Sequence, residues 1–298
     1  MKPVAESAGA EPFFLRMGSG QRYCMYHAPA APACVGAVLY VHPFGDEMNK
    51  ARRMAALQAR TLAAQGFGVL QIDLFGCGDS SGEFAEASWE DWKDDLRAAD
   101  DWLRQRLNKP ICLWGLRLGT LLALDYARTS AQAPAAVVLW QPVLSGSMFL
   151  TQFLRLRVAS EMLAGDVPDG GDKTGGTQGL RDELRAGKTL EIAGYELSPA
   201  LAAACDSLDA GNMAVHGCPV HWFEAVAEAG RPMPPATRRV VEGWMRAGVS
   251  LQTHPTPCPP FWSTQEIEEA PELLSATSRI FAGLFPSSSG RLVAGHES

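Results

Sequence analysis

From residue 35 to residue 127, apolar runs of strand length alternate with segments that are apolar at helical spacing. The run VGAVLYV at 35–41 predicts a buried strand, ended by the turn residues His42, Pro43, Phe44 and Gly45. Ala51, Met54, Ala55 and Leu62 then share one helical face as far as Gly66, and 67–72 is a second apolar run. A glycine-rich loop from Asp73 to Ser80 follows it. Trp89, Trp92, Leu96, Ala99 and Leu103 recur at helical spacing with charged residues between them, which predicts an amphipathic helix. Residues 110–114 predict a third strand that turns at 115–119 into a helix reaching 127, and 135–140 predicts a fourth. Strands and helices alternating in this way predict a mostly parallel sheet with helices on both faces.

Beyond residue 144 the rhythm breaks. A helix is predicted over 148–163, then a Gly- and Asp-rich loop over 165–179, a short hairpin over 190–197 and a helix from Pro199. This stretch reads as a cap inserted over the sheet, which divides the chain into a first core part (13–144), the insertion (145–217) and a second core part (218–286). Strand character returns at 220–223 and 249–252. Ser263 with Glu266 three residues on predicts the capping box of a final helix.

The segment ICLWGLRLGTLLALDYA at 111–127 carries the chemistry. A buried strand runs through Gly115, Arg117 and Gly119 straight into a helix, a turn so tight that small residues must flank the central one. That central residue takes a strained backbone conformation and shows its side chain above the sheet. Two more motifs agree in order and spacing: the strand ending in HPFG, and the loop D-x-x-G-x-G-x-S beginning at Asp73. Together the three resemble the nucleophile elbow, oxyanion loop and following loop of the α/β-hydrolase superfamily. The resemblance implies an α/β-hydrolase fold, a mostly parallel central sheet with an inserted cap. It also implies an oxyanion or anion site at His42, Phe44, Gly45 and Leu118, built from backbone N–H groups. The segments HPFGDEMNKAR, QIDLFGCGDSSGEF, LWGLRLGTLLAL, AGYELSPAL and PPFWSTQEIEEAP extend the likeness over most of the chain. They resemble one group of exosortase-associated hydrolases, bacterial proteins linked to exopolysaccharide export, which implies a setting beside an export-system partner.

At the nucleophile position, however, stands Arg117, which stays protonated and cannot attack a carbonyl. The acid of a triad is expected just after the strand at 220–223, where Glu224 and Glu228 are candidates, with solvated helix carboxylates as the plainer reading. The base is expected in the loop before the last helix, near Pro259 and Pro260, where there is no histidine. His254 lies a few residues early and reaches the site only if the proline-rich loop folds back. His216 and His221 flank a strand and read as structural. Cys77 and Ser80 lie on the neighbouring loop without the elbow's geometry or a visible base, and Cys112 reads as core. Arg117 reads either as an anion site for a small-molecule anionic ligand such as phosphate, a carboxylate or a sugar acid, or as a plug paired to Asp46 or Asp79. Three functions stay open: a binding protein using that anion site; a hydrolase or acyltransferase acting on an ester-type substrate through an unusual nucleophile; and an accessory partner of an export system, binding through its surface.

Composition narrows the partners. A net charge of −7 and a pI near 5.4 oppose non-specific binding to nucleic acid. The seven cysteines are scattered without a C-x-x-C pair, so neither a zinc site nor a disulfide framework is expected, and a reducing, cytoplasmic setting is. The first dozen residues lack the apolar core of a secretory signal, and no segment reads as a membrane span. No cofactor is implied.

Overall fold

Two strands precede the first predicted one. In the computed structural model, which describes residues 9–30, 33–164 and 176–285, β1 (Ala10–Met17) and β2 (Gly20–His27) form an antiparallel hairpin. Their apolar and polar residues alternate too weakly to announce them from sequence. Next come β3 (Gly36–Val41), α1 (Asp46–Ala64), β4 (Phe67–Ile72), α2 (Trp89–Leu107), β5 (Ile111–Leu116), α3 (Leu118–Thr129) and β6 (Ala136–Trp140), each within a few residues of its expected place. Ser88 caps α2, accepting from the Asp91 N–H, and Asp91 bonds back to the Ser88 N–H.

After β6 the chain leaves the sheet through α4 (Gly146–Ala164), α5 (Gly176–Arg185), the hairpin β7 (Leu190–Ile192) and β8 (Tyr195–Leu197), and α6 (Pro199–Ser207). Most of the predicted loop at 165–179 lies outside the described residues, and its last four residues belong to α5. Leu180 and Leu184, one turn apart, are buried, while Arg181 donates to Asp206 Oδ1 (2.6 Å) and Thr151 Oγ1 (2.8 Å). The chain returns as β9 (Val220–Val226), α7 (Pro235–Arg246), β10 (Leu251–Pro257) and α8 (Pro271–Leu284). The expected capping box at Ser263 starts no helix: Ser263 Oγ donates to the Pro260 carbonyl within a turn, and α8 opens eight residues later with Pro271 in its first turn.

The eight-stranded sheet runs β1-β2-β4-β3-β5-β6-β9-β10, parallel from β4 to β10. Alternate residues face two cores. Leu39, Leu113 and Leu139 pack under α2 and α3, whereas Tyr40, Trp114 and Trp140 pack under α1 and α8. Cys112 is fully buried in the second core, as expected. Burying each such side chain contributes about 1.5–3 kcal/mol, so the central strands are fixed by both faces.

Candidate active site

Arg117 is the residue between β5 and α3. Its backbone sits at φ 54°, ψ −124°, a region that side-chain-bearing residues rarely enter. Its N–H donates to the Trp140 carbonyl (3.0 Å), and its own carbonyl accepts from the Thr120 N–H (2.9 Å) and hydroxyl (2.6 Å). The flanking glycines are sterically required. A Cβ on Gly115 would stand 2.8 Å from the Gly119 carbonyl oxygen, and one on Gly119 would stand 2.3 Å from that of His42. The second approach also brings the loop after β3 against the start of α3.

The Arg117 side chain is mostly covered. Its Nε donates to Glu47 Oε1 at 3.1 Å, with the two side chains 16% and 20% exposed. The guanidinium carbon lies 5.4 Å from the centre of the Trp262 ring. Neither partner was expected. Asp46 instead pairs with Lys50 at 3.1 Å, and Asp79 lies by Asp73 and Arg52, its N–H donating to Asp73 Oδ2. Asp46 and Glu47 are neighbours in the first turn of α1, so their side chains leave the helix about 100° apart, and only the second faces the elbow. Burial pushes the Glu47 carboxyl up, the Arg117 charge pulls it back, and its Oε2 is buried without a partner.

Around the elbow, the ring of the HPFG histidine has a structural task. The His42 ring holds two loops together: Nδ1 donates to the Pro43 carbonyl (2.7 Å), and Nε2 accepts the Leu74 N–H (3.2 Å). Burial lowers its pKa, so the ring is neutral and both nitrogens are taken; its side chain has nothing left for an anion. Phe44 turns its ring inward, edge-on to Phe149 and Phe153 of α4. Gly45, at φ 56°, precedes α1, and Leu118 is the first residue of α3.

Glu224 lies inside β9, which runs three residues further than expected. It is buried, its carboxylate accepting from Trp222 Nε1 (3.0 Å) and Thr237 Oγ1 (3.2 Å). Burial raises its pKa, and Arg117 is among the groups that lower it. Glu228 is exposed beyond the strand. His254 is not in a loop at all: it sits within β10 opposite Phe223, stacked on that ring at 4.6 Å, with Nε2 3.2 Å from His221 Nδ1. Paired residues on parallel strands face the same side, so His254 shares the Phe223 face while Glu224 faces the other. The structure therefore does not bring these two together. From the loop after β10 it is Trp262, not Pro259 or Pro260, that reaches Arg117.

The substitute nucleophiles are structural. Ser80 Oγ donates to the Asp73 carbonyl (2.5 Å) and accepts the Tyr23 N–H (2.9 Å). Cys77 is buried, which pushes its thiol far above the range in which it ionises. The voids beside Leu118 and beside Trp262 are each about 10 Å³, room for at most a water. Among the described residues no three His, Cys, Asp or Glu side chains gather as a metal site, and no helix is long and apolar enough to cross a membrane.

Known proteins share this fold. A family model described as serine aminopeptidase, S33, matches residues 33–171. The human protein ABHD12B is 26% identical over 148 residues, 43% of this chain and 39% of that protein, so the chain spans about two fifths of the curated relative's length. Est1E from Butyrivibrio proteoclasticus, solved with ferulic acid, superposes with a TM-score of 0.66 at 14% identity, covering 91% of this chain and 98% of that one. A monoglyceride lipase from Saccharomyces cerevisiae, solved with a substrate analogue, gives 0.62 at 14% identity, covering 95% and 98%. Sheet order, elbow geometry and these likenesses make the chain an α/β-hydrolase-fold protein.

Proposed function

We propose that this α/β-hydrolase-fold protein has exchanged serine-hydrolase chemistry for a guarded anion site centred on Arg117. One observation carries the reading: the guanidinium occupies the elbow itself, with only Nε committed to Glu47. Its two terminal nitrogens have no hydrogen-bond partner among the described residues, and the N-terminus of α3 adds a positive dipole. A phosphate or carboxylate would bind across the planar fork with Glu47 or Trp262 displaced, since the voids here hold at most a water, and the Glu47 charge would hold its affinity down. Glu224 keeps the place of a triad acid but has no histidine partner. His42, Phe44, Gly45 and Leu118 contribute through backbone, not side chains.

The chain's resemblance to hydrolases supports a second reading, turnover of an ester by an unusual nucleophile. The esters acted on by the solved relatives would then be the substrate class. One experiment separates the two. Purified protein should hydrolyse short p-nitrophenyl esters far below the usual enzyme range of about 1 per second or more. Inorganic phosphate at millimolar concentration and constant ionic strength should raise its Tm, and Arg117→Ala should abolish that rise. Turnover in the enzyme range, or equal Tm shifts in wild type and Arg117→Ala, would defeat the anion-site reading. An accessory role beside an exopolysaccharide export system belongs to the same proposal, tested by whether the protein co-purifies with that system's membrane components.

A further inference from the structure

A second cavity lies on the α1 side of the sheet, with neither Arg117 nor Glu47 in its lining. It is a cleft of about 560 Å³ between α1 and the inner face of β2 and β4, a size usual for small-molecule sites. The topology creates it. On that face α1 packs over β4 and reaches the near hairpin strand β2, and β1 extends the sheet past it.

The cleft is polar in an ordered way. Arg60, on the α1 wall, forms no ion pair among the described residues and acts electrostatically on His27. His27 is buried, its Nε2 3.2 Å from Gln71 Oε1, and burial keeps the ring neutral. With that oxygen facing His27, the Gln71 amide nitrogen remains available to a ligand. The Tyr40 hydroxyl, on a ring held against Trp114 at 4.4 Å, makes no hydrogen bond to the described residues. At the other end Arg52 is neutralised by Asp73 at 2.9 Å, and the exposed Asp79 carboxylate offers acceptor oxygens.

We propose that this cleft is a second binding site, for a small monocarboxylate carrying hydroxyl groups. The carboxylate lies on Arg60, and the hydroxyls exchange hydrogen bonds with Gln71, Tyr40 and Asp79. A second negative charge on the ligand is disfavoured, because it would meet Asp79. The site is independent of the one at Arg117.

Calorimetric titration with gluconate at constant ionic strength tests it. Arg117→Ala removes the elbow's own carboxylate site and should still bind gluconate in the cleft, so the binding variants are compared in that background. Arg60→Gln should weaken binding at least about tenfold, and Tyr40→Phe, which keeps the ring and removes only the hydroxyl, a few-fold. Butyrate, with the carboxylate and no hydroxyls, should bind at least about tenfold more weakly than gluconate. Arg60 is exposed, so Arg60→Gln should melt with the wild type, which circular dichroism checks. No gluconate binding, unchanged binding in Arg60→Gln, equal affinity for butyrate, or loss of binding in Arg117→Ala would each overturn the proposal.

Discussion

A guanidinium in a nearly closed space must be paired, and Glu47 supplies only half of what Arg117 needs. The carboxylate is shared between two demands: its buried Oε2 is unpartnered, and its Oε1 holds the arginine's Nε. Removing the charge by Glu47→Gln keeps the shape but leaves Arg117 without a counter-ion, which should cost about 1–3 kcal/mol in urea unfolding. The same substitution should raise phosphate affinity several-fold, because the anion no longer competes with a neighbouring carboxylate. Protonation does in wild type what the substitution does by mutation. Burial raises the Glu47 pKa above 4.5, so phosphate should bind more tightly as pH falls into the range just above that value. In Glu47→Gln this pH dependence should flatten, and a profile unchanged from wild type would show that Glu47 does not guard the site.

At the scale of elements, two segments decide what the fold can do. The loop between β10 and α8 is where a base would have to come from, and it presents Trp262 to the elbow. Arg117→Ser alone should remain a poor esterase, because a serine without an adjacent base keeps its proton. Adding Trp262→His should raise p-nitrophenyl ester hydrolysis well above either single variant, whereas adding Pro260→His should not. Equal gains from the two histidines would mean that proximity to Arg117 does not define the base position.

The second segment is the sheet edge, where His221 of β9 and His254 of β10 stack. Burial holds both below the ordinary histidine pKa of 6.5, His221 at about 4, where the charge of His254 adds to the lowering. The unfolded chain takes up a proton that the folded one refuses, so stability is full above pH 6.5 and falls as pH drops from there to about 4. The loss should be about 1–3 kcal/mol. Urea midpoints in His221→Gln should fall less over this window than in wild type, and parallel curves would remove the pair from the account.

For the whole molecule, sequence and structure divide the explanation along a physical line. Whatever depends on neighbours in the chain was readable: the strand–helix alternation from 35 to 140, the elbow with Gly115 and Gly119, the hairpin at 190–197, the buried Cys112, and the absence of a nucleophile at Arg117. These rest on local periodicity and on steric limits that act within a few residues. The hairpin β1–β2, helix α7 and the true start of α8 were not readable, because weak local patterns there are stabilised by packing against distant parts of the sheet. The site divided in the same way. Residue types and order placed Arg117 and suggested Glu224. Only the tertiary structure chose Glu47 over Asp46 and Trp262 over Pro260, spent both nitrogens of His42 on backbone, and turned His254 to the face opposite Glu224. Those choices depend on which face of a helix or strand meets residues far along the chain. A rotation of 100° in a helix or a shift of one residue in a strand reverses them, and the sequence sets neither until the core packs.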